Sequence, residues 1–97
     1  MATYVALIRY TTKGIESIKE SPSRLNAAKE LLRGLGVELK QFYLLMGQYD
    51  LMYVMEAEND EAVDKASLVL GSSGKIKLET MRAFTEQEYR DLIGSLP

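Results

Sequence analysis

The chain of 97 residues is the length of one compact domain, and folding at that size buries only about two-thirds of the unfolded surface. Its net charge of −2, with both signs interspersed, offers no basic stripe for nucleic acid and sets that partner class aside. The absence of cysteine and histidine excludes disulfides, thiolate nucleophiles, zinc sites of the Cys/His type, haem on an axial His and the ordinary neutral-pH proton shuttle.

Chemistry is thereby confined to carboxylates, Tyr, Lys, Arg, Ser and Thr, so catalysis would need a shifted pKa, and no metal or cofactor is expected. The run Ala2 to Ile8 has no basic region before it and meets Arg9 at once, which is wrong for a secretory signal. No apolar stretch approaches the roughly 20 residues that span a bilayer. The expectation is a cytoplasmic protein with no membrane association, folded as a single domain over residues 1–97.

Thr3 to Tyr10, rich in β-branched and aromatic residues, reads as a strand, and Lys13-Gly14 opens a helical region. Pro22 suits a first helical turn, and Ser21 before it reads as the N-cap of the main helix. Leu25, Ala28, Leu31, Leu32 and Leu35 then share one face, Arg24, Lys29, Glu30 and Arg33 face water, and Gly34 and Gly36 stop the helix. Val37 to Met46 and Tyr49 to Glu56 read as strands joined by Gly47-Gln48, a two-residue loop of the type II′ kind. Asn59 caps a second helix with an apolar stripe of Ala62, Val63, Ala66, Val69 and Leu70, ended by Gly71 to Gly74. Lys75 to Phe84 is a fourth strand, and Thr85-Glu86-Gln87-Glu88 is a capping-box pattern that starts a short terminal helix with Tyr89, Leu92 and Ile93.

The order β-α-β-β-α-β plus a terminal helix predicts an α+β, ferredoxin-like fold, an antiparallel four-stranded sheet with both helices on one face. The other face should then turn polar, and it does not. Val5 and Leu7 oppose Tyr4, Ala6 and Ile8; Met52 and Val54 oppose Leu51, Tyr53 and Met55; Phe42 and Leu44 oppose Val37, Leu39, Tyr43 and Leu45. Each large side chain left in water forfeits about 1.5–3 kcal/mol, so the second face needs a cover. A homodimer packed sheet to sheet supplies one, the dimeric α/β barrel, and the terminal helix folding back is the alternative.

The Gly47-x-Tyr49-Asp50 turn carries a resemblance. Together with Tyr4-Val5, Arg9-Tyr10-Thr11, Ile18-Lys19-Glu20-Ser21-Pro22 and Glu79-Thr80-Met81-Arg82-Ala83-Phe84-Thr85, it resembles the GYD-domain family over essentially the whole chain. The resemblance implies a dimeric α+β barrel of ferredoxin-like topology and transfers no catalytic residue. Families of the same barrel superfamily include monooxygenases, isomerases, stress-related proteins and ligand-sensing modules, a breadth that selects no activity.

Antiparallel pairing of the first and third strands should bring Tyr49 and Asp50 beside Arg9 and Tyr10. The same end should collect Thr11, Thr12 and Gly14, Ser72 and Ser73, and Lys75 and Lys77, above apolar sheet walls. Such a site suits a small, partly apolar ligand, with Asp50 as anchor or general base, Arg9 on an acidic or enolic oxygen, and Tyr10 or Tyr49 as donor. Against it stands an ordinary structural role: Asp50 paired with Arg9 or capping turn N–H groups, and Tyr49 packed on the hairpin. Lys40, Lys75 and Lys77 are read as guards of sheet edges, Met46, Met52, Met55 and Met81 as core, and Arg82 as a partner of Glu56 or Glu38. Three functions stay open: a small-ligand-binding barrel, a cofactor-independent isomerase- or oxygenase-like enzyme with Asp50 as base, and a structural oligomerisation module.

Overall fold

Period-two burial sets the sheet in the computed structural model, which describes residues 1–97. In β1 (Ala2–Tyr10), Tyr4, Ala6 and Ile8 are buried and Val5 and Leu7 half-buried. In β3 (Leu51–Ala57), the same alternation buries Leu51, Tyr53, Met55 and Ala57. The two strands are antiparallel, with Ala2 opposite Ala57 and Ile8 opposite Leu51. Flanking them are β2 (Val37–Leu44) and β4 (Ile76–Ala83), all antiparallel, in the order β2-β3-β1-β4. This is the ferredoxin-like arrangement expected from the sequence.

The helices cover one side. A short helix α1 (Thr12–Glu16) and a single 3-10 turn (Ile18–Glu20) precede α2 (Ser21–Gly34), and Pro22 falls in the first turn of α2 as expected. Ser21 is already helical and caps nothing; its hydroxyl goes to Tyr10 instead. Helix α3 (Asp60–Gly71) starts as expected, with the Asn59 side chain accepting from the Ala62 N–H. Ile8, Leu32, Val37, Met55 and Val63 form the centre of the core between α2, α3 and the sheet.

Two features of the hairpin depart from expectation. The loop is wider than two residues: Leu45 N–H donates to the Asp50 carbonyl at 2.8 Å, enclosing Met46 to Tyr49, and β3 begins only at Leu51. Gly47 is still needed there, because its φ of +125° is strained for any side chain. In β2, a bulge between Leu39 and Gln41 shifts the register by one residue. It puts Phe42 and Leu44 on the same side as Val37 and Leu39, opposite Tyr53 and Leu51, where strict alternation had them opposed.

Helix α4 (Glu86–Gly94) begins with both bonds of the capping box between Thr85 and Glu88, yet none of its residues is buried. Tyr89, Leu92 and Ile93 are all about half exposed, and the molecule measures 52 × 31 × 17 Å. The terminal helix therefore does not cover the second face of the sheet. Val5, Leu7, Tyr43, Met52, Val54 and Met81 remain there with no element of the chain packed over them. Of the four methionines expected in the core, only Met55 is buried, and Met46 at the hairpin tip is 100% exposed.

Candidate functional site

Antiparallel pairing does bring the candidate residues together, but the sheet divides them. The Asp50 carboxylate accepts from the Tyr10 backbone N–H at 2.9 Å, and its own N–H donates to the Ile8 carbonyl at 2.8 Å. Asp50 thus prolongs the β1–β3 ladder by one side-chain bond; it forms no ion pair with Arg9. Arg9 donates from Nε to the Gln48 carbonyl at 2.9 Å and lays its guanidinium over the Tyr49 ring, 4.8 Å from its centre. Tyr49 reaches across the open face to donate to the Glu79 carboxylate at 2.5 Å, and this bond raises its pKa above the usual phenol value. Arg9 and Tyr49 accordingly share the open face with Glu79, whereas the Tyr10 side chain points among the helices and shares a 3.1 Å hydrogen bond with the Ser21 hydroxyl.

On the helix side lies a cleft of about 350 Å³ between α2, α3 and the sheet. Tyr10, Phe42, Leu51, Tyr53 and Ile76 form its floor, Leu25, Ala28 and Leu31 one wall, and Val69 and Leu70 the other. Polar groups gather where β1 ends, α2 begins and α3 finishes: Tyr10, Ser21, Arg24, Ser73 and Lys75. A mostly apolar cavity of this volume with a few convergent polar groups is within the range of small-molecule sites. Of the four candidates from the sequence, only Tyr10 lines it; Arg9, Tyr49 and Asp50 do not.

The backbone at this mouth is tightly built. Thr11 Oγ1 donates to the Gly74 carbonyl at 2.6 Å, Thr11 N–H to the Lys75 carbonyl at 3.0 Å, and Gly14 sits so close to Lys75 that a Cβ would lie 2.1 Å from its carbonyl oxygen. Arg24, expected in water, is half-buried: it donates to the Ser17 carbonyl at 2.9 Å and to the Gly14 carbonyl at 3.4 Å, tying α1 to α2. Lys75, read as an edge guard, precedes β4 and lines the cleft. Tyr53 is 4% exposed, and burial followed by the neighbouring Tyr10 pushes its phenol up to about 12.

Ser21, Arg24 and Tyr53 are thus cleft residues that the sequence did not place at the site, whereas Ser73 and Lys75 lie at the end of the sheet where the topology put them. Ser21 and Arg24 carry a legible signal, since they extend the Leu25–Ala28–Leu31 stripe at helical spacing toward the start of α2. Tyr53 reads only as core.

At the opposite end of the sheet, Arg82 pairs with Glu88 at 3.6 Å and stacks on Tyr4 and Phe84, so neither Glu56 nor Glu38 is its partner. Tyr4 donates to Asp60 at 2.5 Å, which raises its pKa, and Ser67 and Thr80 hydroxyls share a 2.9 Å bond. These contacts hold α3 against β1 and β4 and set Glu88, at the start of α4, beside β4.

The family model of the GYD domain matches residues 4–93. This chain belongs to the GYD-domain family. A relative from Thermus thermophilus, named glutamine synthetase and cystathionine beta-lyase binding protein, is 36% identical over 84 residues. The match spans 86% of this chain and 88% of the relative. The crystal structure of TTHA0845 from Thermus thermophilus is similar with a TM-score of 0.57 at 24% identity, over 88% of this chain and 95% of that one. FFRP-DM1 is similar with a TM-score of 0.59 at 21% identity, over 87% of this chain and 100% of the other. At those identities the two structures bear on the fold of the GYD domain alone.

Proposed function

We propose that this GYD domain is a small-ligand-binding protein that works as a homodimer, with the ligand held in the cleft between α2 and α3. The cleft carries the reading: about 350 Å³, walled by Leu, Ala, Phe and Tyr, with its polar groups confined to one end. The dimer is supported by the uncovered second face, where Val5, Leu7, Met52, Val54 and Met81 would leave water against a second copy of the same face. The two faces of the sheet then have separate tasks, assembly on one and binding on the other. Asp50 is committed to the Tyr10 N–H and lies outside the cleft, which favours binding over an Asp50-based enzyme. A thermal-shift screen of small aromatic and aliphatic compounds, followed by calorimetry of the hits, tests this reading. Saturable binding lost on Ala28→Trp, which fills the cleft, is the expected result; binding that survives that substitution places the ligand elsewhere and overturns it.

A second reading draws on the relative whose name makes it a binding protein for two enzymes. It assigns this chain protein partners, docked on apolar side chains such as Leu68, Tyr89 and Leu92 that the fold leaves outside. Mixing the purified chain with purified glutamine synthetase or cystathionine beta-lyase and running each mixture by size exclusion is the direct test. Co-elution supports a shared role with the relative, and separate elution of all components counts against it.

A further inference from the structure

The geometry points to an anionic amphiphile as the occupant of the α2–α3 cleft: a small carboxylate with an aromatic or short aliphatic tail, its head at Lys75 and its tail over Tyr53. This inference rests on the small-ligand reading above and adds the chemical class. Three observations converge on it.

The first is charge. Two cations, Arg24 and Lys75, line the cleft, and no carboxylate does. Arg24 is already engaged with the Ser17 and Gly14 carbonyls and lies 3.8 Å from Glu20 outside the cleft, whereas Lys75 Nζ has no carboxylate within ion-pair distance. In a chain of net charge −2 with six side-chain ion pairs, a half-buried lysine left free beside an apolar cavity is a site for an incoming anion.

The second is hydrogen bonding. The Tyr53 hydroxyl opens into the cleft and makes no hydrogen bond to the protein, and since no enclosed side-chain polar atom lacks a partner it stays within reach of water there. A ligand oxygen that displaces that water supplies the phenol with an acceptor in its place. Tyr10 and Ser21 share a single bond between two hydroxyls, so one further proton is available there for a carboxylate oxygen.

The third is size. A volume of about 350 Å³ is at the lower end of small-molecule sites and has room for a phenyl-bearing short-chain acid. The flat faces of Phe42 and Tyr53, whose ring centres are 5.9 Å apart, favour an aromatic tail.

The test compares 3-phenylpropanoate with its neutral amide and with 3-phenylpropylamine by calorimetry on the full chain at neutral pH. The acid is expected to bind one per chain, with the amide at least about tenfold weaker and the amine not at all. Lys75→Gln should remove about tenfold of the affinity for the acid and clearly less for the amide, and Tyr53→Phe should weaken both. Lys75 contributes only its backbone to the fold contacts described, so the variant should keep the melting temperature of the parent. Equal affinity for acid and amide, or an acid affinity indifferent to Lys75→Gln, overturns the anionic class and leaves the small-ligand reading standing. Binding of none of the three compounds, with the screen also empty, overturns both.

Discussion

Asp50 shows at the residue scale how a conspicuous carboxylate can be structural. Its oxygen completes the hydrogen bonding of Tyr10 just where β1 runs out of partner strand. Asp50→Ala should leave that N–H without its partner and cost about 1–3 kcal/mol, read as a lower urea midpoint with an unchanged slope, while affinity in the cleft stays the same. Gly14→Ala should cost at least as much, on the order of 1–3 kcal/mol or more, since the new Cβ meets a backbone oxygen that cannot step aside. Tyr53 has the opposite signature. Its phenol is raised to about 12 in the folded protein against an ordinary value near 10, so folding favours the neutral form. That contribution is complete below about pH 10 and is lost as pH climbs from about 10 to about 12, amounting to at most about 3 kcal/mol. Alkaline denaturation of Tyr53→Phe should show a flatter limb in that window than the parent, even though Tyr4 and Tyr49 also titrate late.

Among the elements, the sequence is most readable where a local rule has no competitor. The capping box at Thr85, the Asn59 cap, the two apolar helix stripes and the alternation of β1 and β3 are all decided by neighbours three or two residues away, and they appear where expected. The hairpin is less readable, because a Gly-x pair fits a tight turn and a wider loop equally well; here Leu45 and Asp50 make the closing backbone bond and Tyr49 turns toward Arg9 and Glu79. The bulge at Lys40 leaves no mark in composition, and it alone decides that Phe42 reaches the cleft floor. Ser21 and Arg24 depart from expectation for a related reason. A helix beginning at a polar end of a cleft looks in sequence like one capped and exposed to water. Helix α4 gives a clean prediction at this scale: with no buried residue and only the partly exposed Arg82–Glu88 pair tying it to β4, its removal from Glu86 onward should leave the melting temperature of the remaining fold within a few degrees of the parent, by circular dichroism.

For the whole molecule, the sheet separates two surfaces of different character. One face is sealed by α2 and α3 except at the cleft; the other carries half-buried aliphatic side chains flanked by the Arg9–Tyr49–Glu79 cluster. Self-association through that second face predicts a solution mass of about twice 10.9 kDa by light scattering, and Leu7→Asp, at the middle of the face, should return the chain to a folded monomer. A parent protein that runs as a monomer would remove the dimer without touching the cleft. The decisive experiment for the cleft itself is chemical-shift mapping of the 15N-labelled chain during titration with 3-phenylpropanoate. A ligand seated between α2 and α3 predicts saturable shifts confined to Tyr10, Ser21, Leu25 to Leu31, Tyr53, Leu70 and Lys75. Shifts centred instead on Gly47 to Asp50 or on Val5, Leu7 and Met52, with the cleft residues unmoved, would contradict a cleft site.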